Sequence, residues 1–208
     1  SPLIGTKNLI MTPHLGASTT EAQEKVALQV AEQISDYLKT GAITNAVNTF
    51  SLTASEYNTV QPYLKLSEQH GGFAGQLTEN AIKKITVEFD GAVSKINTQP
   101  LIQTIICFLL KKNFDGVNVI NSVAVAKTKS IQITETKHEK SGEYQSSVTL
   151  TIETEKQTRS VSGTLFGGKP RIVNVKGIKI EAELSKYNLY ISNEDKPGFI
   201  SDLSKILS

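Results

Sequence analysis

From about residue 19 to 40, apolar side chains at Ala22, Val26, Val30, Ile34 and Leu38 return every fourth position along an otherwise polar stretch. That is the spacing of a helix with one apolar face. Ser18 followed by Glu21 reads as its capping box, and Gly41 as its stop. Ahead of it, Leu9, Ile10 and Met11 read as a short strand closed by Pro13, which cannot donate to a ladder. Residues 42–50, AITNAVNTF, read as extended, and the polar stretch 51–60 as a linker at a domain boundary.

A new unit follows. Pro62 suits the first turn of a helix through PYLKLSEQH, which continues past Gly71 and Gly72 into FAGQL. ITVEFDG (85–91) alternates as a strand. Residues 98–112 are apolar on nearly every side, as in a buried helix. GVNVIN (116–121) reads as a short strand. In SVAVAKTK (122–129) the valines favour a strand and the alanines a one- or two-turn helix, and the helix is taken.

From residue 131 the period switches to two. IQITETKHE, YQSSVTLTIETE, TRSVSGTLFG, PRIVNV and IKIEAEL predict an antiparallel meander, with turns at 140–143, Gly167-Gly168 and Lys176-Gly177. Helices followed by a meander indicate an α+β domain. The last stretch, NLYISNEDKPGFISDLSKILS, reads as a strand, a polar turn with Asp195 as cap, and an amphipathic helix opened by Pro197 and Gly198. A strand and one helix cannot cover their own apolar faces, so 187–208 is expected to open a further, incomplete domain.

Composition narrows the function classes. The 208 residues are 38% hydrophobic, enough for one large domain or two small ones. With 22 basic against 20 acidic residues the net charge is +2, and no cluster tracks a phosphate backbone, so nucleic-acid binding has no support. The lone Cys107 lies in the apolar run LIQTIICFLL and is expected buried and reduced. His14, His70 and His138 are widely spaced, none with a partner at i+3 or i+4, which argues against a metal site. The longest apolar run, 101–110, is half of what a membrane span needs, and SPLIGTKNLI lacks the signature of a signal peptide. The expectation is a soluble, cytoplasmic protein without membrane partners.

His14 is the best-presented candidate for chemistry. Proline holds it in a turn, Gly16 allows close approach, and as an acid/base it would need a carboxylate on its second ring nitrogen. Lys169, Arg171, Lys176 and Lys179 gather near the end of the meander. Their alternation suits a solvated strand face as well as an anion site.

TPHLGAST (12–19), the helix carrying Glu21, Ala22 and Gln23, and then Asn45-Ala46-Val47-Asn48 together resemble the catalytic-histidine segment of D-2-hydroxyacid dehydrogenases. Within them, the long-form D-3-phosphoglycerate dehydrogenases are most similar. PYLKLSEQHGGFAGQL and SVSGTLFGGKPRIVNVKG resemble their intervening, allosteric-substrate-binding domain, and NLYISNEDKPGFI resembles the opening of an ACT domain.

The resemblance implies three segments: a remnant of the catalytic domains at 1–50, the intervening domain at 51–186 and the start of an ACT domain at 187–208. It implies that His14 is the acid/base of a parent enzyme that oxidises 3-phosphoglycerate with NAD in serine biosynthesis, with Gly16 and Ala17 beside the nicotinamide. It implies an anion or substrate-like site at Lys169 and Arg171, although Glu183 stands where some relatives are expected to be basic. It implies contacts of Asn193 and Asp195 with a serine effector, and a homo-oligomer.

No G-x-G-x-x-G occurs in the chain, and the family's substrate arginine and histidine-paired carboxylate lie upstream of the motif. The chain alone is therefore expected neither to bind NAD nor to transfer hydride, nor to bind serine measurably. Two other readings differ in class. One is a non-catalytic effector-binding module like that of L-serine dehydratase, disfavoured by TPHLGAST. The other is an oligomerisation unit using 101–110 as an interface.

Overall fold

The computed structural model describes residues 2–140, 142–185, 187–194 and 196–208. It is a mixed α+β structure of five α-helices and one open six-stranded sheet. The helices are α1 (Thr20–Thr40), α2 (Ala54–Leu77), α3 (Gln99–Leu110), α4 (Ser122–Thr128) and α5 (Phe199–Leu207). The strands are β1 (Ile82–Gly91), β2 (Gln132–His138), β3 (Ser146–Thr154), β4 (Thr158–Phe166), β5 (Lys169–Val175) and β6 (Ile178–Ala182).

The sheet runs β2-β1-β3-β4-β5-β6. The expected meander is therefore only part of it. β2 crosses over through α3 and α4 to lie parallel to β1, while β1 pairs antiparallel with β3 and the remaining pairs are antiparallel. Two-residue turns at Gly167-Gly168 and Lys176-Gly177 close the last hairpins. All four residues take positive φ, from 54° at Lys176 to 82° at Gly177, as a type I′ turn requires. The expected turn at 140–143 includes Ser141, which lies outside the described residues.

Alternation along the strands sorts the sheet into two faces. Ile85, Val87, Phe89, Val148, Leu150, Ile152, Val161, Ile172 and Val175 are buried and join one core with α2 and α3. The opposite face is hydroxyl-rich and half-buried, with Thr149 Oγ1 donating to Ser162 Oγ at 2.9 Å and Ser147 Oγ to Asp90 at 3.1 Å. Both edges are blunted against further pairing. On the core side β2 carries the charged pair Glu135 and Lys137, 3.2 Å apart, and the β5–β6 ladder is broken by a register shift.

Helix α3 is core. Leu101, Ile105, Ile106, Leu109 and Leu110 are fully buried within this one chain, so these side chains are core rather than interface. It lies close against α2 because two glycines face it. A Cβ at Gly75 would stand 2.7 Å from the Leu109 carbonyl oxygen, and one at Gly71 would meet the Ile105 carbonyl.

Several sequence expectations are corrected. Residues 54–60 are not a linker but the first turns of α2, whose start is set by Thr53. Its Oγ1 accepts from the Glu56 amide at 3.3 Å while the Glu56 carboxylate accepts from the Thr53 amide at 2.9 Å, the reciprocal capping box. Pro62 is thus inside the helix rather than at its first turn. Helix α1 is capped by Thr19, not Ser18, its hydroxyl accepting from the Ala22 amide at 3.1 Å.

The segments 9–11, 116–121 and 188–192 form no strand among the described residues. A strand exists only when a neighbour takes its backbone hydrogen bonds, and none of the three meets a sheet edge. Residues 122–129 resolve as the helix α4. Outside the core, α1 and α5 have no buried residue. The α1 stripe stays uncovered, with Val26 47%, Ile34 54% and Leu38 77% exposed. No described element of the core covers it.

Candidate functional sites

Three places were singled out by the sequence, and the structure keeps them apart. His14, Gly16 and Ala17 lie on an exposed turn between Met11 and α1, closed by a hydrogen bond from the Ser18 amide to the Leu15 carbonyl at 3.0 Å. Glu21 is engaged by Lys25 at 2.6 Å, one turn along α1. His14 is exposed and makes no ion pair or hydrogen bond with a carboxylate among the described residues, so no general-base pair is formed here. The same turn offers no enclosed surface for a dinucleotide, and no glycine-rich phosphate cradle stands nearby. The residues present do not by themselves build an NAD site.

The second place is the end of the sheet. Lys169 and Arg171 sit on β5 beside the β4–β5 turn. Arg171 is 23% exposed and its guanidinium donates to the carboxylate of Glu183, which follows β6. That hydrogen bond and the Arg171 charge hold the Glu183 carboxyl below its usual value, with Lys169 adding to the pull. The other basic residues are also engaged. Lys179 Nζ reaches both oxygens of Glu143 at 2.8 and 2.9 Å, which raises its pKa, and Lys176 Nζ lies 6.0 Å from the centre of the Tyr190 ring. Lys169 and Arg171 lie at the start of β5, whereas Lys176 and Lys179 lie by its far end, so the four cations do not gather at one point. In this arrangement three of them are occupied by the chain's own groups.

The third place is the loop before α5. Asn193 is exposed and its side-chain amide donates to the Glu194 carbonyl at 2.8 Å, while Lys196 pairs with Glu194. Asp195 lies outside the described residues, and with it the expected carboxylate cap. Helix α5 opens at Phe199 behind Gly198, whose φ of 94° suits glycine, and no side-chain cap bond forms there.

The structure also shows what the pattern did not. Residues 184, 185 and 187–190 lie across the outer side of α2. Gln69 Nε2 donates to the Leu184 carbonyl at 3.0 Å, and the Phe73 and Tyr190 rings meet edge to face with centroids 5.7 Å apart. Between these two fastenings is a cleft of about 940 Å³, bordered by Lys65, Gly72, Phe108 and Asn188. In sequence Lys65 and Gly72 are ordinary surface positions of a helix, and nothing in their spacing marks the segment that crosses them.

The histidines are separate, as their spacing implied. His138 Nδ1 lies 2.8 Å from Asp90 Oδ1 on the open sheet face, a partner supplied by the parallel β1–β2 register rather than by helical spacing. His70 is fully buried under β4, and burial holds its pKa down to about 4 against a weak opposing contact with the Ser162 backbone. Its two ring nitrogens and the Ser67 hydroxyl lack hydrogen-bond partners. Cys107 is buried, and that burial raises its thiol pKa. No cluster of metal-ligating side chains occurs among the described residues, and no described helix is long and apolar enough to cross a membrane.

Comparison with known proteins adds an independent line. Residues 59–176 match the model of the D-3-phosphoglycerate dehydrogenase intervening domain. Over 203 residues the chain is 37% identical to a D-3-phosphoglycerate dehydrogenase of a Synechocystis species, a match covering 96% of this chain and 37% of that protein. It is 29% identical to the Bacillus subtilis enzyme of the same name, again over 96% of the chain and 38% of the relative. Against the Mycobacterium tuberculosis enzyme it is 28% identical over 100% of the chain and 40% of the relative. The chain thus spans well under half the length of the relatives it matches.

Proposed function

The chain belongs to the D-3-phosphoglycerate dehydrogenase family, and from that premise we propose that it is the regulatory, C-terminal portion of such an enzyme. The parent enzyme oxidises 3-phosphoglycerate to 3-phosphohydroxypyruvate with NAD. In this reading residues 1–50 are the end of the catalytic domains, 51–186 are the intervening domain and 187–208 begin an ACT domain.

The observation that carries the proposal is the coincidence of two boundaries. The buried core runs from Leu52 to Val175, and the family match covers 59–176. The part of the chain that folds around its own core is therefore the intervening domain. The His14 turn and α1 lie outside that core with their apolar side chains exposed, as expected of elements whose neighbours belong to a catalytic domain.

Roles follow from chemistry. His14 is assigned the acid/base role of the assembled enzyme, taking the proton of the substrate hydroxyl, with Gly16 and Ala17 close to the nicotinamide. Lys169 and Arg171 are assigned a regulatory anion site for phosphate or 3-phosphoglycerate, since a guanidinium and an ammonium side by side suit a phosphoryl group. Asn193 and Asp195 are assigned to an effector loop for L-serine. The assembled enzyme is a homo-oligomer in this reading.

The test of the division of labour is direct. Purified chain mixed with NAD and 3-phosphoglycerate is expected to give no NADH above background. Clear turnover would overturn the assignment of this chain to the regulatory portion alone.

A further inference from the structure

The anion site proposed above has a feature that its composition does not reveal: its arginine is already taken. Arg171 donates to Glu183, and Glu183 is the residue immediately before the segment 184–190. Leu184 packs against the edge of the core, and the residues after it leave the core. The segment bridges a cleft of about 940 Å³ on α2. Its near end is fastened by the Gln69 amide on the Leu184 carbonyl, and its far end by Tyr190, set against Phe73 and under Lys176. In the middle it is held by its own turn, in which the Ser185 amide donates to Asn188 Oδ1 at 3.2 Å and Asn188 Nδ2 to the Ser185 carbonyl at 2.6 Å. Leu189 is 67% exposed. Loosening the near tie is expected to raise local opening of the exposed residues beyond it.

From this arrangement we infer that Glu183 is an internal competitor for the anion site, and that an anion binding at Arg171 displaces it and loosens the 184–190 strap from α2. The inference rests on the assignment of Arg171 and Lys169 as an anion site and states how that site is regulated. The physics is an exchange of partners. The Arg171 guanidinium is only 23% exposed, so its planar donors face a limited space that either the Glu183 carboxylate or an incoming phosphoryl oxygen can fill.

Glu183 is 58% exposed and loses little on moving into water, whereas a dianionic phosphoryl group gains both Arg171 and Lys169. Covalent attachment keeps the carboxylate at a high effective concentration, which weakens every external anion by a constant factor. By linkage, whatever loosens the strap tightens anion binding by the same factor, and the anion loosens the strap in return. The strap leads directly to Asn193 and α5, so the orientation of everything that follows residue 190 is coupled to the occupancy of Arg171.

The experiment titrates inorganic phosphate into the chain and its Glu183→Gln and Arg171→Ala variants by calorimetry, with backbone hydrogen exchange of 184–190 read at zero and saturating phosphate. The inference expects Glu183→Gln to bind phosphate about tenfold more tightly than the unmodified chain. Exchange in 184–190 should rise with phosphate in the unmodified chain and be raised already in Glu183→Gln without it, while Arg171→Ala abolishes binding.

Equal affinity in the unmodified chain and Glu183→Gln, with binding still lost in Arg171→Ala, would overturn the competitor and leave the anion site standing. Tighter binding with unchanged exchange in 184–190 would overturn the strap coupling. Absence of phosphate binding in all three proteins would overturn the anion site and the inference together. Arg171→Lys, which keeps the charge and loses the planar fork, guards against misfolding of the alanine variant and is expected to bind more weakly than the unmodified chain.

Discussion

The imidazole of His70 on α2 lies directly against Gly163 of β4, with no room for a side chain between them. A Cβ at 163 would meet His70 Nε2, and would stand 2.8 Å from the Arg171 carbonyl oxygen and 2.9 Å from Leu66 Cδ1. The helix and the sheet therefore pack tightly at a position beside the strand that carries Arg171. Gly163→Ala is expected to destabilise the domain by about 2 to 3 kcal/mol, because the Arg171 carbonyl is backbone and cannot swing aside. Urea unfolding of the two proteins measures it, and a change below 0.5 kcal/mol would mean that the approach is not as close as described.

Burial of the same histidine sets a pH dependence. Its folded pKa is about 4 against an ordinary 6.5, so above pH 6.5 it is neutral in both states and costs nothing. As pH falls from 6.5 towards 4 the unfolded chain takes up a proton that the folded chain refuses. Stability is lost across that window, by up to about 3 kcal/mol at its lower end. His70→Leu is expected to flatten the loss between pH 6.5 and 4, and it also removes the two unpartnered ring nitrogens. Parallel pH profiles of the two proteins would refute this reading.

The α2–α3 contact makes a matched prediction on one helix. Gly71→Ala and Gly75→Ala drive a methyl into the backbone of Ile105 and Leu109 and are each expected to cost about 2 kcal/mol or more. Gly72 has open space around it and a helical backbone, so Gly72→Ala is expected to stabilise by about 0.5 to 1 kcal/mol. Thermal or urea unfolding of the three variants checks the ranking. A destabilised Gly72→Ala would contradict it.

Much of the fold was legible because local chemistry and tertiary structure agree there. The four-residue stripe of α1, the apolar 98–112 stretch and the glycine-bearing turns at 167–168 and 176–177 each state their conformation in a few neighbouring residues. What failed needed distant partners. Leu9, Ile10 and Met11 make too short an apolar run to show that no neighbour receives them, and the β1–β2 parallel pairing joins residues 48 positions apart across a crossover, as Lys84 with Gln132. The start of α2 was missed for a different reason. Pro62 is a strong local signal, and it outweighed the Thr53 and Glu56 box that in fact sets the boundary.

The candidate sites divide in the same way. His14 and its turn are contiguous residues and could be read directly. The Arg171–Glu183 pair joins β5 to the segment beyond β6, and only the hairpin register brings it together. Alternation alone could place Arg171 on a face and could not say that its charge is already partnered. His70 looked like one of three scattered histidines, and its burial depends on the sheet that covers it.

The central claim is that this chain carries a regulatory anion site at Arg171 and not the oxidation reaction. The most direct measurement is calorimetric titration of 3-phosphoglycerate into the chain and into Arg171→Ala, with circular dichroism confirming that both are folded. The account predicts a saturable isotherm for the unmodified chain that disappears in Arg171→Ala. No binding to the unmodified chain, or an isotherm that survives the substitution unchanged, would contradict it.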